Sequence, residues 1–340
     1  MTSIKSEWIS REQYAGLLGS FAQESVTLYH RLAWLDAVAS GFHADVRFMQ
    51  TLGAGGSALA VTPFMTKKKG PFRLIGTPLS GMYTEFCGPL LVEGLDPDTV
   101  EAVMTSQHRL LAQNGHYIEW GSKGEQRWAH SLASFGYVHT QRPTLVVDLS
   151  AGVDATWASF EGRARNMTRK SEKAGVVART VTPDEAWIGA YYEMLRATFG
   201  RQGLAVPHPL SFYRQMIALS AAGNARCVAA EFEGRMVAAC IFLVDRARML
   251  YLSGVANEQG MTLAATSLLQ WHAIREAIEA GVTEYDMGGL GVPSIDKFKR
   301  SFGGRDFAHH RWTYRSRLFG LAEPAALWLA RKGWIRLGGK

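Results

Sequence analysis

The sequence predicts an α/β protein of mixed sheets in which one unit is built twice, once in each half of the chain. The first observation is an internal repeat. Gly121 is followed by Ser134-Phe135-Gly136, and Gly288 is followed by Ser301-Phe302-Gly303, a constant offset of 167 in a chain of 340 residues. The second is that helix-spaced apolar stripes alternate with short strand-like runs. The third is a hydrophobic content of 47%, enough at this length for two cores of ordinary size.

The elements follow in order. Tyr29–Val38 places Leu32, Leu35 and Val38 at helical steps, with Trp34 on the flank. Val46–Leu52 and Ala58–Phe64 read as paired strands around the turn Gly53-Ala54-Gly55-Gly56. Pro97-Asp98 opens a helix that Asn114-Gly115 closes, and the strand Tyr117–Trp120 follows. Leu145–Leu149 is a further strand, and Ser150-Ala151-Gly152 marks a junction. In the second half, Trp157, Phe160, Ala164, Met167 and Ala174 predict one helix closed by Gly175. Val176–Val181 is strand-like, and Ala186–Phe199 and Pro207–Ala222 read as helices. Arg226–Phe232, Met236–Val244 and Met249–Val255 form a meander whose first turn is Glu233-Gly234. Ala264, Leu268, Trp271, Ile274 and Ile278 stripe a long helix ending at Gly281. No low-complexity linker intervenes, so the expected organisation is two domains, 1–150 and 151–310, packed together. A basic, Trp-rich tail, 311–340, completes it.

Composition excludes several classes. Cys87, Cys227 and Cys240 are too few and scattered for a disulfide framework or a zinc site, and the latter two read as buried thiols. The ten histidines show no metal spacing, so no metal is expected, and no Ser–His–Asp or Cys–His set emerges. Lys5, Glu7, Arg11 and Glu12 do not read as a signal peptide, and apolar runs such as Val237–Val244 are far short of a membrane span. The expected location is cytoplasmic. The net charge is +7, with cations gathered at Lys67-Lys68-Lys69, Arg163–Lys173 and Arg311–Lys340. Such clusters attract phosphates, whether of tRNA, a nucleotide-linked precursor, coenzyme A or an anionic membrane. In the tail, Trp312, Leu318, Leu321, Trp328, Leu329, Trp334 and Ile335 stand among Arg and Lys. That mixture suits peripheral contact with the inner face of a membrane or docking on the sheet, and Pro324 is expected to break any single long helix.

Four segments carry a wider resemblance. They are Tyr29-His30-Arg31-Leu32-Ala33-Trp34-Leu35; Arg163-Ala164-Arg165-Asn166 through Lys173-Ala174-Gly175-Val176; Ala229–Gly234 with Val237-Ala238-Ala239; and Gly281 through Tyr285-Asp286 to Phe298-Lys299 and Phe302-Gly303-Gly304. In order and spacing they resemble the Fem family of non-ribosomal peptidyl transferases and the wider FemAB-like, CelD-like branch (BioF2-like acetyltransferases included) of the GNAT acyltransferase superfamily. The resemblance implies two tandem GNAT-like domains, the first degenerate and the second catalytic. It implies transfer of an aminoacyl or acyl group to an amine, forming an amide, with a phosphate-containing cell-envelope (peptidoglycan) precursor or related metabolite as acceptor. No bound cofactor is implied; the co-substrate is aminoacyl-tRNA or acyl-CoA. One alternative is an acyl-CoA-dependent N-acyltransferase acting on a lipid amine or amino sugar. Another, from a different class, is a non-catalytic protein that binds a nucleotide or tRNA end. The GNAT pyrophosphate loop is a glycine-spaced turn entering a helix. Here that stretch, Asn257–Ala264, has one glycine and no arginine, a departure from the pattern.

The candidate residues follow from this chemistry. Amide formation from an activated ester needs a positioned carbonyl, a neutral amine and help for the oxyanion. Lys299 matches the family's functional lysine beside Phe298, and the first half has Leu132 and Ser131 at the same offset. Asp286, opposite Glu119 in the repeat, is a candidate to take the proton of the incoming ammonium or to cap the Gly288-Gly289 turn. Tyr285 accompanies it. Arg165, Arg169 and Lys173 share one helical face and Arg163 and Lys170 its neighbour, a candidate phosphate clamp or a solvated face paired with Glu161 and Glu172. Arg201 stands in a glycine-flanked loop, and Tyr83 in Gly81-Met82-Tyr83-Thr84 resembles an aromatic turn of the family.

Overall fold

The structure, a computed structural model, describes residues 4–201 and 203–331. It divides into two units, Met1–Gln141 with His309–Lys340, and Arg142–Ala308.

The first unit begins with β1 (Lys5–Ile9), α1 (Arg11–Leu17) and α2 (Leu32–Phe42), followed by β2 (Asp45–Leu52), β3 (Ala58–Lys69), β4 (Phe72–Thr77) and the short β5 (Leu90–Leu91). It continues with α3 (Pro97–Ala112), β6 (Tyr117–Lys123) and a 3-10 helix, Arg127–Phe135. Local chemistry sets the helix starts. Ser10 and Gln13 form a reciprocal cap on α1, and the Asp96 side chain accepts from the Thr99 amide (2.9 Å) ahead of Pro97. Strand β7 (Val138–Asp148) carries the chain into the second unit.

There, α4 (Val153–Ser159), α5 (Gly162–Lys173), β8 (Val177–Val181), α6 (Glu185–Gly200) and α7 (Leu210–Ala221) precede the meander β9 (Ala225–Phe232), β10 (Arg235–Asp245) and β11 (Arg248–Ala256). Then come α8 (Glu258–Thr262), α9 (Ala265–Glu279), β12 (Glu284–Gly289) and α10 (Pro293–Arg300). Strand β13 (Arg305–Arg315) returns to the first unit, and α11 (Arg317–Arg331) follows.

Both units have one topology. In the first, β1, β2, β3 and β4 pair antiparallel in sequence, β4 runs parallel to β6, and β13 closes antiparallel on β6. In the second, β8, β9, β10 and β11 do the same, β11 runs parallel to β12, and β7 closes on β12. The first residues of β6 and β12, Tyr117 and Glu284, are 167 apart, the offset of the glycine landmarks. Each sheet is therefore closed by a strand that begins in the other unit, β13 after α10 and β7 after the 3-10 helix. Trp120, Trp128, Leu132 and Trp312 lie in the first core; Phe160, Trp271, Tyr285 and Phe302 lie in the second.

Several expectations change. The units change over at 141/142 and 308/309 instead of 150/151 and 310/311. The start of the expected tail belongs to the first sheet, because Arg311 in β13 pairs with the fully buried Glu119 and Trp312 enters the core. Pro324 lies inside α11, which Phe319 anchors against Phe72 (5.2 Å) and Tyr117 (5.7 Å). Trp334 and Ile335 lie outside the described residues. The helix expected from Trp157 to Ala174 is broken at Phe160, which is extended (φ −65°, ψ 144°). Its next residue, Glu161, donates its amide to the Ser301 carbonyl (2.9 Å) instead of continuing α4. The helix expected from Tyr29 starts at Leu32, because Leu28–His30 forms a 3-10 turn held by His30 Nδ1 accepting from the Thr27 amide (3.2 Å).

Candidate active site

The parallel pair β11–β12 is matched only over Arg248–Leu250 against Glu284–Asp286; beyond Asp286 the two strands part. Tyr285, the residue before the parting, is fully buried, and its hydroxyl donates to Gln270 Oε1. Burial pushes its pKa well above the ordinary phenol value. It presents no face to a ligand, so its place among the expected substrate-binding residues is a core position. Asp286 is 1% exposed. Its Oδ1 accepts from the Thr144 hydroxyl of β7 and from the Gly288 amide (2.8 Å), and Oδ2 lies 3.9 Å from Arg248. Arg248 Nε in turn donates to Glu284 (2.5 Å). Of the two expected roles for Asp286, this geometry is that of the carboxylate organising the Gly288 turn.

Gly288 has φ +76°, and a Cβ there would meet the Tyr251 carbonyl at 3.2 Å and Lys299 Nζ at 3.6 Å. The turn thus brings the backbone close to the lysine. Lys299, in the last turn of α10, is 5% exposed and donates from Nζ to the Gly289 carbonyl (2.7 Å). Its neighbour Phe298 packs edge-on to Phe302 (5.2 Å), which packs on Phe160 (5.1 Å). The aromatic residue anchors α10 on the core, and the lysine, the next residue round the helix, reaches the Gly289 carbonyl at the strand parting.

The first unit shows the same parting filled. Past the matched segment Leu74–Thr77 with Tyr117–Trp120, the Cys87 amide donates to Gly121 (3.3 Å) and the Gly88 amide to Thr77 (3.2 Å). Gly121 is required there, since a Cβ would lie 2.7 Å from Pro78. Leu132, which corresponds to Lys299, is fully buried in the core. Glu119, which corresponds to Asp286, pairs with Arg311 (2.5 Å) and accepts from Ser80. Arg311 and Thr144 are themselves 167 apart, each on its closing strand. A buried carboxylate tied to the closing strand is common to both units; the ammonium in the parting belongs to the second.

The other candidates scatter. On α5, Arg163 is exposed, and Arg169 is exposed with its guanidinium 5.4 Å from the Trp157 ring centre. Arg165 is half-buried and spends its Nη1 on the carbonyls of Ala158 (3.0 Å) and Phe160, sealing the break before α5. Lys170 donates to the Thr262 carbonyl (2.7 Å), joining α5 to α8. The contact of Glu161 with Ser301 and the stack of Phe160 on Phe302 bring the start of α5 to the end of α10. Arg201 is exposed at the end of α6, and Tyr83 is half-buried in the first unit with φ +50°.

Where the GNAT pattern has its glycine-spaced phosphate loop, the chain forms α8. The Asn257 side chain accepts from the Gly260 amide (2.8 Å), and Glu258 occupies the first turn. Both features disfavour an anion at that end. Thr144 and Arg248 went unnoticed in the sequence; the offset linking Thr144 to Arg311 is the signal that points to the first. Among the described residues, no group of three or more His, Cys, Asp or Glu is placed to hold a metal ion.

Residues 158–300 match the family model of the acetyltransferase (GNAT) domain. No curated protein matches the chain. Among solved structures, FemX is similar over 94% of this chain and 100% of its own (16% identity, TM-score 0.72). The C-terminal domain of a putative lysylphosphatidylglycerol synthetase from Agrobacterium fabrum is similar over 94% and 98% (12% identity, TM-score 0.57). A tandem GNAT protein from the clavulanic acid biosynthesis pathway is similar over 93% and 98% (13% identity, TM-score 0.55). The chain shares the fold of these structures, and its second unit carries the match to the acetyltransferase (GNAT) domain.

Proposed function

We propose that this acyltransferase moves an aminoacyl group from aminoacyl-tRNA to the amine of a phosphate-bearing cell-envelope precursor. The observation that carries the reading is Lys299, a nearly buried ammonium in the strand parting where the duplicated unit holds Leu132. An amine attacks the ester carbonyl, charge collects on its oxygen, and the bond to the ribose oxygen breaks. A fixed cation in a water-poor site is worth most at that stage. Lys299 stabilises the oxyanion, and the ribose oxygen leaves with the proton that the attacking nitrogen gives up. Asp286 acts as a positioning carboxylate, since its Oδ1 is committed to Thr144 and Gly288. In this reading Arg163 and Arg169, both exposed, meet the acceptor's phosphate.

Support for tRNA over coenzyme A comes from α8, whose Asn257 cap and Glu258 leave a poor pyrophosphate cradle. The name of one neighbour, a putative lysylphosphatidylglycerol synthetase, speaks of an aminoacyl product. The rival reading, acyl-CoA as donor, draws on the tandem GNAT neighbour and the GNAT family model. The purified chain, incubated with an amine-bearing envelope extract and either charged tRNA or acetyl-CoA, separates the two by mass spectrometry. An aminoacyl mass added only with charged tRNA is expected. An acetyl mass gained from acetyl-CoA alone, or no transfer from either, overturns the proposal.

A further inference from the structure

On the first unit, one face of the β2–β3–β4 ladder gathers Asp45 and Arg47 from β2, Thr66 and Lys68 from β3, and Arg73 from β4. The registers Asp45↔Thr66 and Lys68↔Arg73 place these residues side by side, because partners in an antiparallel ladder point to one face. Together with Lys67 they line a cleft of about 360 Å3. Lys68 and Arg73 are like charges directly opposite one another, an arrangement that costs stability. Arg47 is fixed with its guanidinium 3.8 Å from the centre of the Trp8 ring.

Asp45 is the one carboxylate in that lining, against four cations. Among the described residues, no carboxylate oxygen lies within 4.0 Å of the charged nitrogens of Arg47, Lys67, Lys68 or Arg73. A concave, self-repelling group of cations is relieved by a bound anion. Apart from charge, the lining offers only Thr66 and Asp45 to recognise the rest of a metabolite. None of the exposed large apolar side chains among the described residues falls on β2, β3 or β4, as a lipid-inserting surface would require.

We propose that this cleft docks the phosphodiester backbone of RNA. Recognition by charge alone suits a phosphate chain, where backbone contacts position a nucleic acid without reading its sequence. Lys67, on the other face of β3 by register, still borders the cleft, and Lys69 continues the positive surface around the hairpin. Only the identity of the RNA as the donor tRNA rests on the function proposed above.

The test is a fluorescence-anisotropy titration of the full chain with a labelled, uncharged tRNA transcript between about 50 and 200 mM salt. With three or four phosphates engaged, the log–log salt slope is expected near −2 to −4. Lys68→Gln and Arg73→Gln should each flatten it by about 0.7–0.9. Lys68 is exposed, so its variant keeps the fold, which circular dichroism verifies. Unchanged affinity and slope in both variants overturn the proposal. So does binding to phosphatidylglycerol vesicles that the substitutions abolish while RNA binding stays intact. Because the probe carries no amino acid, RNA docking without transfer counts against the function alone, and transfer without this docking counts against the cleft alone.

Discussion

Lys299→Met keeps the length of the stem and removes the charge. The side chain is 5% exposed, and its ammonium lies 2.7 Å from the Gly289 carbonyl. The lost charge-assisted hydrogen bond costs about 1.5–3 kcal/mol. The relieved desolvation of a nearly buried ammonium offsets much of it, so the melting temperature should move by a few degrees at most. Catalysis should respond far more. A unit charge about 3 Å from a developing oxyanion, at an effective dielectric near 20, contributes up to about 5 kcal/mol. Deleted oxyanion donors cost about 2.7–4 kcal/mol, or 10²–10³ in rate. The expectation is therefore a kcat about a hundredfold lower or worse, with donor KM within a few-fold. Initial-rate assays of amide formation, run beside thermal unfolding of the same variant, check this. Full turnover, or a loss matched by the fraction unfolded, refutes the role assigned to Lys299.

Arg163→Ala should leave stability unchanged and raise the acceptor KM about ten- to a hundredfold, whereas Arg165→Ala should lower stability by about 1–3 kcal/mol through its lost contacts to Ala158 and Phe160. Steady-state kinetics and denaturant titration separate these, and unmoved KM values for Arg163 and Arg169 variants would leave α5 an ordinary solvated face. Gly288→Ala should destabilise by about 1–2 kcal/mol because its φ is +76°, and should also depress kcat by shifting the turn under Lys299. Burial holds His30 at about 4 against an ordinary 6.5. Its neutral form therefore supports the fold fully above about pH 6.5. As pH falls from there toward 4 the unfolded chain takes up the proton first, and stability drops by up to about 3 kcal/mol. Denaturant melts at pH 7.5 and 5 read this, and His30→Gln should flatten the difference.

The repeat was legible because glycine and aromatic landmarks survive where backbones approach closely: Gly121 against Pro78, Gly288 against Tyr251 and Lys299. The same comparison singles out Lys299 against Leu132 from the sequence alone. What could not be read was non-local pairing. β13, with three Arg, two His and one Asp, does not read as a strand, and its end reads as the start of an amphipathic tail until Glu119, 192 residues earlier, pairs with Arg311. β1 (KSEWI) opens on three polar residues in a row, and β4 (FRLIGT), although Gly70-Pro71 marks the turn before it, has no regular alternation, so neither shows the period of a strand. The break at Phe160 is set by Ser301, again a distant partner. Tyr285 looked like a site residue because it adjoins Asp286, yet successive strand residues face opposite ways, and its side is the core.

The exchange of closing strands sets a timetable for synthesis. Residues 1–141 leave the ribosome 168 positions before His309. At about 5–20 residues per second, that is a wait of about 10–30 s. Throughout it β6 has an open edge, with Trp120 and the Glu119 carboxylate lacking the strand that covers them in the finished protein. Open edges are where nascent chains mispair. A break in elongation or a stop codon anywhere between Arg142 and Ala308 therefore releases an incomplete first sheet, and a complete early domain never separates from the rest.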